Sequence, residues 1–338
     1  MHSQSPPLLI PEHEPLRLSA DDFDLRCYWT SLISEIEAEL DASVPVRYPE
    51  RVHRAMRHSV LDGAAKRAPA IMCVASCDLF GGCRSASFPA ACALEMVHAA
   101  SLVHDDLPCM DDAPIRRGRP STHALFGVDM AVLAGDALFP LAFQHIVART
   151  PSPDVVPAAT VLRVLAEISR AVGSTGMAAG QSLDIAAADA AGCEEEVLHL
   201  LEKKFGEMAE CSAVCGGLLG SASDEEVETL RRYGRSVGVL YKLVDDVLTD
   251  SNEGAGKMRS NANAVSVLGK DRALELVEEL RLKAKKELEM LEEKYGNKVL
   301  PLHSFVDYAV ERSFAVKDGD ATASNDVDSS ANVDGNKG

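Results

Sequence analysis

The densest chemistry in the sequence is the run His104-Asp105-Asp106-Leu107-Pro108-Cys109-Met110-Asp111-Asp112, followed by Arg116-Arg117-Gly118. Four carboxylates in so short a run repel one another, and something must offset that repulsion. A hard divalent cation such as Mg²⁺ does so, typically sharing one or two carboxylates with substrate phosphates. That makes Asp105, Asp106 and Asp111 metal candidates. The neighbouring guanidinium groups of Arg116 and Arg117 suit diphosphate oxygens, which they can grip bidentately. On a straight helix Asp105 and Asp111 lie roughly 240° apart, so they share a metal only if the helix ends between them. Pro108 supplies a cause for that break. The blander reading is a solvated helix end. The apolar lead-in from Ala90 to Val103 and the Arg pair favour the metal–diphosphate reading.

A second pattern is the repeated Cys-x-x-x-Cys spacing, Cys73/Cys77 and Cys211/Cys215. On helices each pair lies on one face. Three readings compete: small apolar residues in a tight Ala-rich core, four thiolates around a structural zinc, or a helix–helix contact surface in which small side chains allow close approach.

The elements that must position these residues read as helices. Trp29, Leu32, Ile33, Ile36 and Leu40 recur at spacings of three and four, as do Ala273, Val277, Leu280, Ala284, Leu288 and Leu291, with Gly296 at the expected C-cap. Pro301 opens a last helix. No alternating strands and no fixed repeat are evident. The 338 residues are 46% hydrophobic but only 5% aromatic, with one Trp, so the core must be built mainly from Ala, Val and Leu. That suits closely packed helices. The sequence predicts an all-α domain over 25–316, a flexible Pro-rich arm over 1–24, and a disordered acidic tail over 317–338.

Composition narrows function further. With 52 acidic and 34 basic residues the net charge is -18, which excludes a nucleic-acid backbone as the main partner. No membrane span is expected: the best candidate, Met130 to Phe143, is short, carries Asp136 and Pro140, and reads as a buried core helix. The first twenty residues resemble neither a secretory signal nor an Arg-rich transit peptide. Nine cysteines in a long chain with a large core are expected to be reduced thiols.

The segment from Glu95 to Asp136 resembles the first aspartate-rich region of trans-prenyltransferases, in particular plant geranylgeranyl diphosphate synthases. Gly180-Gln181-Ser182-Leu183-Asp184 and Asp245-Asp246-Val247-Leu248 match further motifs, and the similarity spans about residues 25 to 315. The resemblance implies an isoprenoid-synthase-like helical bundle around a central cavity, usually dimeric. The family's chemistry joins an allylic diphosphate to isopentenyl diphosphate through an allylic carbocation. It implies Mg²⁺ held by Asp105, Asp106 and Asp111, allylic diphosphate contacts from Arg116 and Lys204, and isopentenyl diphosphate contacts from His98 and Arg117.

The sequence departs from that pattern at defined places. Thr249 stands where the second aspartate motif, DDxxD, has its last carboxylate, leaving Asp245, Asp246 and a shifted Asp246/Asp250 pair. In Gly63-Ala64-Ala65-Lys66-Arg67-Ala68-Pro69, Ala65 and Ala68 replace basic residues of GGKRxRP. The family's Lys-Thr is Lys204-Phe205, its Phe-Gln is Tyr241-Lys242, and its lysine-bearing loop becomes 251–257. Paired Cys-x-x-x-Cys motifs resemble a hallmark of the small-subunit branch, where they are implicated in binding a catalytic large subunit. A retained first aspartate motif with a degraded second one resembles the second type of small subunit. The expectation is therefore a plastid regulatory subunit that docks on a large subunit through Cys73, Cys77, Cys211 and Cys215, has little activity alone, and retains an allylic diphosphate site. The alternatives are a self-sufficient Mg²⁺-dependent homodimeric prenyltransferase and a scaffold that binds no diphosphate.

Overall fold

Asp24 starts the first helix. Its Oδ1 accepts from the backbone N–H of Arg26 at 2.8 Å and of Cys27 at 3.1 Å, satisfying two otherwise orphaned donors. The computed structural model describes residues 23–187, 192–250 and 263–311. Most of the expected arm, the expected acidic tail, the 251–257 loop and the Asp250 side chain lie outside the described residues.

Fourteen α-helices follow in chain order among the described residues. The first four are α1 (Leu25–Ser43), α2 (Glu50–Val60), α3 (Ala68–Leu79) and α4 (Arg84–Asp105). A short hairpin, β1 (Ile115–Arg116) with β2 (Arg119–Pro120), precedes α5 (Thr122–Phe126) and α6 (Val128–Arg149). Then come α7 (Ala158–Val172), α8 (Met177–Ala187) and α9 (Glu194–Leu201), which continues through a π-helical turn, Glu202–Gly206, into α10 (Glu207–Leu219). α11 (Asp224–Asp250), α12 (Ala264–Leu268), α13 (Lys270–Tyr295) and α14 (Leu300–Glu311) complete the chain. The all-α expectation holds. The hairpin is the exception: Arg117 (φ 51°) and Gly118 (φ 76°) are both left-handed, as a two-residue turn of the right twist requires.

α4 is the central element, packed against α3, α6 and α10. It is apolar nearly all round, as a helix enclosed by others must be. The α1 stripe is buried as its spacing demands, and so is that of α13 apart from half-buried Leu280. Trp29 closes α1 against α14, 4.7 Å from Phe305 and 5.0 Å from Tyr308 between ring centres.

Two expectations need correction. α4 and α6 are both long and apolar enough, by length and composition alone, to cross a membrane. α4 is enclosed by protein, but α6 is not the buried core helix expected: one face lies on α4, while Val132, Leu133 and Val147 are exposed. The four paired cysteines, expected at a partner surface, are buried inside this chain. Cys73, Cys77, Cys211 and Cys215 are all 0% exposed, on the facing surfaces of α3 and α10. The Sγ atoms of Cys211 and Cys215 stand 3.8 Å apart. A Cβ on Gly216 would lie 2.1 Å from the Cys73 carbonyl oxygen, so the two helices touch at backbone distance. Burial holds the thiols of Cys73 and Cys77 far above their usual range, hence protonated. They are core residues that set the α3–α10 spacing.

Candidate active site

The helices enclose a cavity of about 960 Å³. Its wall is largely apolar, with Met72, Met208, Phe139 and Phe305, and also carries the charged Asp105, Lys204 and Asp245.

α4 ends at Asp105, so the chain turns between the first and second aspartate pairs as a shared metal requires. The turn is closed by Asp111 N–H donating to the Asp105 carbonyl at 2.8 Å and Ala113 N–H to the Asp106 carbonyl at 3.2 Å. Asp105 then faces the cavity. Burial pushes its carboxyl up to about 6, with Lys204 pulling it down and Asp111 pushing it up. Asp106, 3% exposed, turns away and accepts from Arg116 Nε at 2.9 Å and from Nη2. Asp111 accepts from Gln181 Nε2 at 3.4 Å, and the buried Oε1 of Gln181 has no hydrogen-bond donor.

The hairpin sends its two arginines different ways: Arg116 to Asp106, and Arg117 towards Asp62, 3.7 Å away. His98, partly buried on α4, lines the cavity with Nδ1 unpartnered. Burial depresses its pKa to about 4, so it is neutral at physiological pH. Lys204, on the π-helical turn, reaches into the cavity and pairs with Asp184 of α8.

The loop over 63–69 carries fewer basic side chains than the family pattern GGKRxRP. Ala64 and Ala68 line the cavity, whereas Ala65 is 1% exposed and faces the core. Arg67 is buried in a left-handed conformation, donating to Glu95 at 3.1 Å and to the Val60 carbonyl at 2.8 Å. Lys66 is the loop's one exposed cation, and its Nζ lies 2.6 Å from the Tyr241 hydroxyl. On α11, Asp245 faces the cavity, and Thr249 Oγ1 donates to the Asp245 carbonyl at 2.8 Å. The shifted Asp246/Asp250 pair is not supported at Asp246: its Oδ1 accepts from Lys242 at 2.6 Å and its Oδ2 from Ala264 N–H at 3.2 Å, behind the cavity wall.

The family profile described as polyprenyl synthetase matches residues 49–261, more than half the chain. The chain belongs to the polyprenyl synthetase family. It is 57% identical over 295 residues to the chloroplastic heterodimeric geranylgeranyl pyrophosphate synthase small subunit of Arabidopsis thaliana, covering 87% of this chain and 86% of that one. It is 38% identical over 318 residues to the chloroplastic heterodimeric geranylgeranyl pyrophosphate synthase large subunit 1 of Arabidopsis thaliana, covering 90% and 84%. Among solved structures it is similar to an FPP/GFPP synthase from Zymomonas mobilis, with a TM-score of 0.76, 29% identity, and coverage of 85% and 99%.

Within a polyprenyl synthetase, then, the structure brings Asp105, Lys204, Arg116, Arg117, His98 and Asp245 to one cavity. It leaves Asp106 on Arg116 and the four cysteines in the core. No group of three or more His, Cys, Asp or Glu among the described residues is disposed to hold a metal alone. A metal here needs oxygens from a diphosphate to complete its shell, which is how Mg²⁺ is commonly bound. The carboxylate of Asp105, disfavoured as a charge by burial, and the donorless Oε1 of Gln181 beside Asp111 are oxygen ligands suited to such a cation. Sequence reasoning gave no role to Gln181 or Asp184; their place in the Gly180-to-Asp184 run was the available signal. Tyr241 and Lys242 were noted only as departures.

Proposed function

We propose that this chain is the small, regulatory subunit of a heterodimeric geranyl(geranyl) diphosphate synthase. In this reading it docks on a catalytic large subunit in the plastid, changes that subunit's activity or product length, and turns over little by itself. The observation that carries it is a contrast in the cavity lining: Asp105, Lys204 and Arg116 are kept, while Ala68 stands where the family pattern has a basic residue. Asp105 and Asp111 would hold Mg²⁺, which screens the diphosphate charge, while Lys204 binds phosphate oxygens directly and Arg116 reaches them from its seat on Asp106. His98, neutral on the cavity wall, offers a hydrogen bond but no charge. In the 63–69 loop Ala65 and Ala68 replace basic residues and Arg67 is committed to Glu95, which leaves Lys66 as the loop's available cation on the cavity. Each missing charge-assisted contact removes about 1.5–3 kcal/mol, enough together to weaken a second diphosphate severely. The 57% identity to a relative named a heterodimeric small subunit, and its chloroplastic description, support the same reading.

One observation favours a self-sufficient synthase instead: Asp105 and Asp245 face the same cavity, as two opposed metal sites would. The experiment that separates the readings mixes the purified chain with a plastid geranylgeranyl diphosphate synthase large subunit, follows co-elution by size-exclusion chromatography, and separates products by chain length. Co-elution with an altered product ratio is expected. Independent elution with unaltered products would reject the regulatory role.

A further inference from the structure

From Glu194 to Leu219 the backbone runs as one helix interrupted only by the π-helical turn Glu202–Gly206. Such turns are rare, and they occur frequently at functional sites. This one is gripped from two sides. A Cβ on Gly180 of α8 would lie 2.6 Å from the Lys204 nitrogen, and a Cβ on Gly238 of α11 would lie 2.6 Å from the Phe205 carbonyl oxygen. The turn carries two consecutive lysines with opposite destinations. Lys204 points into the cavity and pairs with Asp184. Lys203 does not line the cavity, and its Nζ donates to Glu207 Oε1 at 2.9 Å.

Glu207 is a firm anchor. Its side chain is 2% exposed, and its second oxygen accepts from Arg170 Nη1 at 2.6 Å. Arg170 also donates to Glu210 at 2.6 Å, and Glu210, fully buried, accepts in turn from Arg231 at 2.7 Å and Arg235 at 2.7 Å. This network joins α7, α10 and α11, and none of its members lines the cavity.

We propose that Lys203 is a positioning residue: its ion pair with Glu207 holds the π-helical turn in the register that aims Lys204 at the diphosphate end of the cavity. The proposal rests on the reading of that end as a diphosphate site. If the turn relaxes to a regular α-helix, the register slips by one residue and Lys204 rotates by about 100°, off the line to Asp184. Lys203 itself never touches the ligand.

The test is calorimetric titration of geranyl S-thiolodiphosphate with Mg²⁺ into the full chain, with a melting curve of every variant. Lys204→Ala measures what the ammonium contributes. Lys203→Met is expected to weaken binding about tenfold, the size of one charge-assisted contact. Lys203→Arg is expected to retain wild-type affinity within about twofold, because it keeps the pair with Glu207. The double variant Lys203→Met/Lys204→Ala should bind no more weakly than Lys204→Ala, since the two losses act through one group. Lys203→Gln serves as the neutral variant should Lys203→Met melt early. Additive losses, or wild-type affinity in Lys203→Met and Lys203→Gln, would overturn the positioning role while leaving the diphosphate site standing. A wild-type chain that gives no binding heat overturns both.

Discussion

Ala65 and Ala68 stand in one loop yet differ in what a basic side chain would meet there. Ala68 borders the cavity, and Ala65 is buried against the core. Ala68→Arg should therefore return a guanidinium to the depleted loop and tighten isopentenyl diphosphate binding by about tenfold or more. Ala65→Lys should instead bury an unpaired ammonium and lower the melting temperature, with no gain in affinity. Calorimetry beside a thermal melt of both variants checks this; tighter binding by the Ala65 variant alone would contradict the geometry. Asp78, near the end of α3, gives a pH dependence. Burial raises its carboxyl to about 6 against an ordinary 3.8, with Arg84 pulling it down and Glu35 pushing it up. The folded chain thus holds this proton more tightly than the unfolded chain. The stability it supplies is present below about pH 4 and is lost as pH rises through 6. Asp78→Asn should stabilise the chain at pH 7.5 by about 1 kcal/mol, after allowing for solvent screening, and flatten the slope between pH 4 and 6. Urea unfolding at the two pH values measures it, and a less stable variant at pH 7.5 would refute it.

At the scale of elements, the contact between α3 and α10 carries the clearest expectation. Replacing Cys73, Cys77, Cys211 and Cys215 with Ser puts four hydroxyls into an apolar contact at about 1–3 kcal/mol each. The isolated chain should melt at least about 5 °C lower. Gly216→Ala should do the same from the other side, because its Cβ has no space against Cys73. An unchanged melt with partner binding abolished would return the cysteines to an interface. Helical period made much of this architecture readable beforehand. The α1 stripe, the α13 stripe and the Gly296 cap (φ 58°) fall where spacing put them. The i,i+4 rule also placed each cysteine pair on one face, but spacing cannot say whether that face looks inward. The Met130–Phe143 stretch failed for the same reason: its apolar content suggested a core, while Val132 and Leu133 lie outside. In the site, the break after Asp105 followed from geometry and Pro108. The parting of Asp105 from Asp106, of Arg116 from Arg117, and of Lys203 from Lys204 depends on backbone dihedrals at a helix end, a left-handed turn and a π turn. No residue pattern specifies those locally.

For the molecule as a whole, the family fold is intact and the basic loop over 63–69 is not. Helices α3, α4, α10 and α11 still enclose about 960 Å³. A chamber has been kept, while Ala68 leaves its lining without one basic side chain and Arg67 is held by Glu95. In the proposed reading the chain holds a prenyl diphosphate without elongating it, and its effect on isoprenoid output comes through another subunit. The most direct test is steady-state turnover of the purified chain alone with dimethylallyl diphosphate, isopentenyl diphosphate and Mg²⁺. Product formation at least a hundredfold below the enzyme median of ~10 s⁻¹ is expected, and a rate near that median would contradict the account.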